Sequence, residues 1–381
     1  MKYKINIHHI GARAGSTVLN LDKKFNNDVT QVLYDADTQA HKQVESIFKK
    51  KNIDTHIIPS VVWNKEGKKL FNLTLDPFAS SIFQIDDKFS NFYKRDKGSN
   101  FDYVYGDVSK VKEQIELKTR TIDKIFEDIK YKNLFPDFLS IDAESSEYEI
   151  LEGAENLMKK NILAVYSEVS FQKIRKNQKL FEDVKNFLEK RGFIFVGFDK
   201  NLSKDSYYIY NFSPYRYPLG MRGHGFDLHS EAIFFRSIDD VVNISVTDEI
   251  KFTNLCKLSF FAFYFGKIEF GLECLKTVKN LDNNIVLPEL FSDKFSYEES
   301  KNRFKINNNE NLKSKFFSLL KFLKLYNFLK TIKDFFIFLG FYLNLNFNLK
   351  VYFSFSKFEK IFIKYKFYDH ANLFRKLRKE H

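Results

Sequence analysis

Three groups of residues have the types and spacing to hold a nucleotide-like cofactor. The run Ile10-Gly11-Ala12-Arg13-Ala14-Gly15-Ser16 follows an apolar stretch and opens an amphipathic one. Glycines between a strand and a helix let the backbone approach a ligand closely and leave helix N–H groups pointing at it. Asp35 stands 20 residues beyond Gly15, at the end of a second apolar run. An acidic side chain there can accept both hydroxyls of an adenosine ribose. This spacing does not separate a nicotinamide cofactor from S-adenosylmethionine. The third group is Asp142 and Glu144, directly after the apolar run Phe138–Ile141, at the strand end where open parallel sheets place ligands.

The elements that must position these residues alternate short apolar runs with amphipathic stretches, a rhythm that predicts βαβ units and a mainly parallel sheet. Strands are expected over 5–10, 30–34, 54–62, 138–141 and 164–169, with 194–198 and 231–236 as a final antiparallel pair at the sheet edge. Helices are expected over 16–25, 40–50, 121–129, 147–160 and 180–191, the last ended by Gly192. The turn Asn64–Gly67 leads to a hairpin at 69–75, and 76–105 reads as an irregular lid or substrate loop. Beyond Ile238 the pattern changes to two helices over 251–281, joined near Gly266.

Charge divides the chain further. The net charge is +12, yet residues 312–381 carry 15 Lys and Arg against 4 Asp and Glu. The basicity therefore belongs to the tail, and no reader motif supports a nucleic-acid partner. Residues 335–349 are an uncharged run of 15, short of the roughly 20 needed to span a bilayer. The tail suits either the interface of an anionic membrane or a helical mini-domain packed on the first. The N-terminus is too short and polar for a signal peptide. Cys256 and Cys274 form neither a disulfide framework nor a metal cluster, and are expected as buried thiols.

Residues 137–154 read Asp-Phe-Leu-Ser-Ile-Asp-Ala-Glu-Ser-Ser-Glu-Tyr-Glu-Ile-Leu-Glu-Gly-Ala. This resembles the signature of the FkbM family of S-adenosylmethionine-dependent methyltransferases: a strand, Asp-x-Glu-Gly, then a helix carrying Glu and ending Leu-x-Gly-Ala. Other blocks follow in the family's order: Gly11-Ala12, Tyr34-Asp35-Ala36, Lys65-Glu66-Gly67, Ser80-Ser81-Ile82, Thr121-Ile122-Asp123 and Glu168. The resemblance covers about residues 5–237 and implies a Rossmann-like class I methyltransferase domain with a mostly parallel seven-stranded sheet. With that domain at 1–237, pattern and composition divide the rest into a helical segment (238–291), a linker (292–311) and a basic Phe- and Lys-rich helical region (312–381).

The resemblance also implies roles. His9, Gly11, Ala12, Gly15, Ser16, Asp35, Ala36, Ser60 and Asp142 would hold S-adenosylmethionine. An acceptor hydroxyl is a poor nucleophile at neutral pH and needs a general base or a metal. The base candidates are Asp142, Glu144, Glu168, His224 and His229, and no metal site is expected. Glu147 reads equally as a solvated helix residue or a capping partner. The implied reaction is O-methylation of a sugar hydroxyl in a bacterial surface glycan, with a glycan or sugar-nucleotide acceptor. It would take place in the cytoplasm, at the inner membrane if the tail lies on it. Three departures mark this chain: His9 where the family has Asp, Ser140 where it has Lys, and Ser145 where it has Gly. They leave open a degenerate, non-catalytic binding protein. A nicotinamide-dependent oxidoreductase fits the 137–154 block less well.

Overall fold

The structure, a computed structural model, describes residues 4–11, 19, 27–34, 48, 53–75, 79–89, 93–95, 102–104, 106, 109–199, 208–210 and 226–281. The expected helices at 16–25 and 40–50 fall outside these residues except for Leu19 and Phe48. The linker 292–311 and the basic region 312–381 also lie outside them.

Two compact units are present: 1–89, 109–206 and 227–296 form the first, and 90–108, 207–226 and 297–381 the second. The first is built on a seven-stranded sheet. Its strands are β1 (Ile5–Ile10), β2 (Val29–Tyr34), β3 (Asp54–Ile58), β9 (Phe138–Ile141), β10 (Ala164–Ser170), β11 (Phe193–Phe198) and β14 (His229–Arg236). The order is β11-β14-β10-β9-β1-β2-β3. All neighbours are parallel except β14, which runs antiparallel to both β10 and β11. The predicted mostly parallel sheet and its antiparallel edge pair are both present. β1, β2 and β9 are buried along their whole length, as central strands of a sheet covered on both faces are, and they bury the polar side chains of Asn6, His8, His9, Thr30, Gln31 and Ser140 along with the apolar ones.

A smaller sheet has the order β4-β8-β5, from β4 (Val61–Val62), β5 (Gly67–Thr74) and β8 (Val111–Arg120). Here the sequence expectation needs correction. Strand 54–62 is interrupted at Pro59-Ser60, and residues 69–75 make no local hairpin. They belong to β5, which pairs antiparallel with the distant β8. β8 is largely exposed and rich in Lys and Glu, so no apolar alternation marks it. The second unit contains β6 (Tyr93–Arg95), β7 (Asp102–Val104) and β12 (Tyr208–Tyr210), which join β13 (Phe226–Asp227) in a four-stranded sheet ordered β13-β12-β6-β7.

One face of the main sheet is covered by α1 (Ile122–Ile125), α2 (Glu147–Glu152), α3 (Glu155–Lys160) and α4 (Phe181–Glu189). Ile125, Leu151, Met158 and Leu188 pack there against Leu139, Val165 and Phe234. The expected single helix 147–160 is two helices, broken at Gly153-Ala154. A Cβ on Gly153 would lie 2.3 Å from the Trp63 carbonyl oxygen, so backbone from β4 occupies the space a side chain would need. Asp123 spans the break: its carboxylate accepts from the Asn156 and Leu157 amides at 2.8 and 3.0 Å. This caps α3 and gives the Thr121-Ile122-Asp123 block a structural task.

The opposite face is covered by sequence beyond residue 237. There follow α5 (Ile238–Ile244), α6 (Asp248–Tyr264) and α7 (Ile268–Leu281). Phe252, Leu255, Phe261, Leu275 and Val278 pack against Ile5, Ile7, Phe138, Tyr166 and Phe235. The α6 and α7 pair meets the expectation of two helices joined near Gly266. Cys256 and Cys274 are free and buried between them, and burial pushes the Cys256 thiol up to about 12. Lys257 on α6 binds both oxygens of Asp137 at 2.9 and 2.8 Å, and the Asn6 amide donates to the same carboxylate. This pair is nearly buried, with side chains 12% and 10% exposed. Among the described residues no helix is long and apolar enough to cross a membrane.

These contacts yield two predictions. Lys257→Ala leaves the Asp137 carboxylate buried without its cation and is expected to cost about 3 kcal/mol in a urea melt. The second concerns His8, which is fully buried between Tyr34 Oη at 2.8 Å and the Leu134 carbonyl at 2.7 Å. Burial lowers its pKa from 6.5 to about 3. Between those values the unfolded chain takes up a proton that the folded chain refuses. Stability should therefore fall below pH 6.5 by up to about 1.4 kcal/mol per pH unit from this group. His8→Gln cannot titrate and should melt with a correspondingly flatter dependence between pH 6.5 and 4.5. An identical dependence in the variant would refute the assignment.

Candidate active site

Strand order reverses at the β1–β9 seam: β1 continues to β2 on one side and pairs with β9 on the other. A parallel sheet opens a crevice beyond its strand ends at such a point. Gly11 and Asp142 stand there as neighbours. Ile10 pairs with Ile141, and the Asp142 amide donates to the Ile10 carbonyl at 3.0 Å. A Cβ on Gly11 would fall 1.7 Å from the Asp142 carbonyl oxygen, and Gly11 has φ +89°. Only glycine fits both conditions.

After Asp142 the chain makes a strained turn. Glu144 and Ser145 are consecutive non-glycine residues with φ +50° and +80°, a conformation costing on the order of 1 kcal/mol or more per residue. Several contacts hold it. Glu147 Oε1 accepts from the Ala143 and Ser145 amides at 2.9 and 3.1 Å. Ser81 Oγ donates to the Glu144 carbonyl at 2.6 Å. The Arg175 guanidinium, 1% exposed, binds Glu144 Oε2 at 2.8 Å and the Ala79 carbonyl at 3.0 Å. Glu147 is thus a buried capping partner and not a solvated helix residue. The Ser80-Ser81 block acts here by tying the 79–83 strap to the turn.

On the face toward α6 and α7 the strand ends carry an acidic group. Glu168 on β10 stands opposite Glu231 on β14 in register. His229 Nδ1 lies 2.5 Å from Glu168 Oε1. Tyr166 Oη donates to Asp199 at 3.2 Å. Burial, then the charge of Glu168, raises the Glu147 carboxyl well above its usual range. Burial, then Glu168, Asp142, Glu147 and Asp199, does the same to Glu231. These groups lie close enough for their charges to act on one another, because the C-terminal ends of β9 and β10 and the N-terminal end of β14 share one edge.

The remaining sequence candidates fall as follows. His9 is buried on the seam beside Ser140, its register partner, with Nδ1 and Ser140 Oγ 2.8 Å apart. Burial lowers its pKa to about 4, so it is neutral at physiological pH. Two departures from the family pattern therefore form one hydrogen-bonded pair. Ser60 lies just past β3 on the same sheet edge, and its Oγ is buried with no hydrogen-bond partner among the described residues. Ala12, Gly15, Ser16, Asp35, Ala36 and His224 lie outside the described residues. Among the described residues no cluster of His, Cys, Asp and Glu has the geometry of a metal site. Sequence reading missed Arg175, Tyr166 and Glu231, because their partners are remote in the chain. A charged residue inside an apolar strand, as Glu231 is, was the one available signal.

Fold and site together define a methyltransferase-type α/β domain. Residues 9–195 match the family model of the methyltransferase FkbM domain. No curated protein and no solved structure matches the chain. The matched segment ends within β11, so β14, with His229 and Glu231, lies beyond it.

Ser145→Gly relieves the φ +80° strain and is expected to raise stability by about 1 kcal/mol, read as a higher urea midpoint at unchanged slope. A destabilised variant would show that Ser145 is not strained.

Proposed function

We propose that this protein transfers a methyl group from S-adenosylmethionine to a hydroxyl, with His229 as the general base. The observation that carries the reading is the convergence of the Gly11–Asp142 seam and the His229–Glu168 pair on one sheet edge within an FkbM methyltransferase domain. The residues suit the cofactor. Its sulfonium and ammonium are cationic, and the described lining is acidic. Ser60 Oγ, near the same strand ends, has no hydrogen-bond partner among the described residues. Gly11 lets the β1 end and the Asp142 backbone meet at the crevice mouth. By the family pattern Asp35 would take the ribose hydroxyls.

When bound, S-adenosylmethionine supplies an electrophilic methyl group. The chain's own residues do the rest. Glu168 fixes the His229 ring through Nδ1, which sets Nε2 as the atom that receives the hydroxyl proton. Asp142 holds the cofactor side of the crevice. Glu144 is a poorer base, because the Arg175 guanidinium stabilises its ionised form. A sugar hydroxyl of a surface glycan is the acceptor class we favour by analogy with FkbM proteins. On this reading the protein would act in the cytoplasm, and a membrane contact through 312–381 would bring it to a lipid-linked glycan.

A second reading, a binding protein that keeps the fold without the chemistry, is favoured by the His9–Ser140 pair on the seam, which replaces the Asp and Lys of the family pattern. Calorimetry with S-adenosylmethionine separates the two. Methyl transfer predicts binding by the full chain, and both Gly11→Ala and Asp35→Ala should weaken it at least tenfold. Binding that neither substitution changes would sink the placement of the cofactor. No binding at all would favour the second reading.

A further inference from the structure

The turn after Asp142 is held by a polar framework that reaches distant parts of the chain. At its centre is Arg175, on the loop that follows β10. Its guanidinium donates to Glu144 Oε2 at 2.8 Å, to the Ala79 carbonyl at 3.0 Å and to the Phe83 carbonyl at 3.3 Å. One buried cation thus joins the turn to both ends of the 79–83 strap. The backbone repeats the join. Ile85 and Arg175 form an antiparallel bridge. The Asp86 amide donates to the Ile174 carbonyl, and the Lys176 amide to the Gln84 carbonyl, both at 2.8 Å.

Both sides of the join are anchored. The Arg175 amide donates to Gln178 Oε1 at 3.0 Å, and Gln178 Nε2 donates to Ser170 Oγ at the end of β10 at 2.6 Å. The strap is anchored on the small sheet. Asn72 on β5, 3% exposed, donates through Nδ2 to the Ser81 and Ile82 carbonyls at 3.0 Å each. Gln114 on β8 donates to Asn72 Oδ1 at 2.7 Å. Ser81 in turn donates to the Glu144 carbonyl. Glu144 is therefore held by its side chain from Arg175 and by its backbone from Ser81. The turn also abuts the seam: the Ala143 nitrogen would lie 3.7 Å from a Cβ on Gly11.

We propose that Arg175 is a positioning residue for the methyl-donor crevice: it locks the 79–86 strap and the Glu144–Ser145 turn into one wall, and the affinity for the donor depends on that lock although Arg175 itself lies buried behind the wall. The proposal rests on the methyl-donor reading above. Glu144 and Ser145 are left-handed and neither is glycine, so the turn keeps its shape only while its surroundings impose it. A planar guanidinium can serve three acceptors at fixed angles, whereas an ammonium on a flexible stem cannot. With the lock weakened, the turn relaxes and the backbone beside Gly11 moves. Part of the donor's binding free energy then goes into restoring the turn, and the apparent affinity falls by the fraction of molecules that hold the binding shape.

The test uses the full chain, as wild type, Arg175→Lys, Ser81→Ala and the double variant. Two quantities are read on folded protein: hydrogen exchange of the 142–146 segment, and the dissociation constant of S-adenosylmethionine by calorimetry. Arg175→Lys is expected to speed exchange at 142–146 while β1 and β9 keep their protection, and to weaken donor binding by about tenfold or more. Ser81→Ala should do the same to a smaller degree. Because both residues hold Glu144, the double variant should lose less affinity than the two single losses multiplied together. A residue that merely supports the fold would lower the urea midpoint and leave the affinity of the folded protein unchanged. Unchanged exchange at 142–146 in folded Arg175→Lys overturns the lock. Faster exchange with unchanged affinity overturns the positioning role and leaves the methyl-donor reading intact. Losses that simply multiply overturn the joint action of Arg175 and Ser81. If Arg175→Lys does not fold, Ser81→Ala decides on the same two readouts. Failure of the wild type to bind S-adenosylmethionine overturns the proposal and the methyl-donor reading together.

Discussion

The close backbone approach at the β1–β9 seam governs the rest of the structure. Gly11 and Asp142 meet with no room for a side chain between them, and this contact sets where the crevice opens and which turn must follow. The chain leaving β9 must clear Gly11, and it does so through two left-handed residues. Glu147, Ser81 and Arg175 then hold that turn from three separate parts of the chain. Strain at the turn and buried polar bonds around it are two sides of one arrangement, because a strained loop persists only where its surroundings over-determine it.

The same seam explains two departures from the family pattern. His9 and Ser140 are cross-strand neighbours, so a change at one alters the other's surroundings. An Asp and a Lys there would form a buried ion pair. His9 and Ser140 form a neutral hydrogen bond of similar reach. Removing both charges together avoids the large penalty of leaving one of them buried alone. The substitutions are thus consistent with an intact sheet, and cofactor binding decides whether they are consistent with catalysis.

The region beyond residue 237 bears on the fold as directly as the matched domain does. α6 is apolar around most of its circumference, as expected of a helix buried between a sheet and another helix. It covers Ile5, Ile7 and Phe138 on the central strands, and the Lys257–Asp137 pair fixes it there. The acidic group at the strand ends lies on this same face.

The sequence by itself determined the parallel core strands, since short runs such as Ile5–Ile10 and Phe138–Ile141, rich in Ile, Leu and Phe, are buried on both faces and alternate with amphipathic stretches. It also determined the position of Gly11, Asp142 and Glu168 at strand ends, because local pattern fixes where a strand stops. It did not reveal β8, whose charged residues follow no period, or the break at Gly153, which depends on the Trp63 carbonyl. Only the tertiary structure decided that Glu231 faces Glu168, that Arg175 clamps Glu144 and that His9 bonds Ser140. Each is a pairing between segments far apart in the chain. Such pairs arise from strand register and helix packing, which no local window of sequence contains.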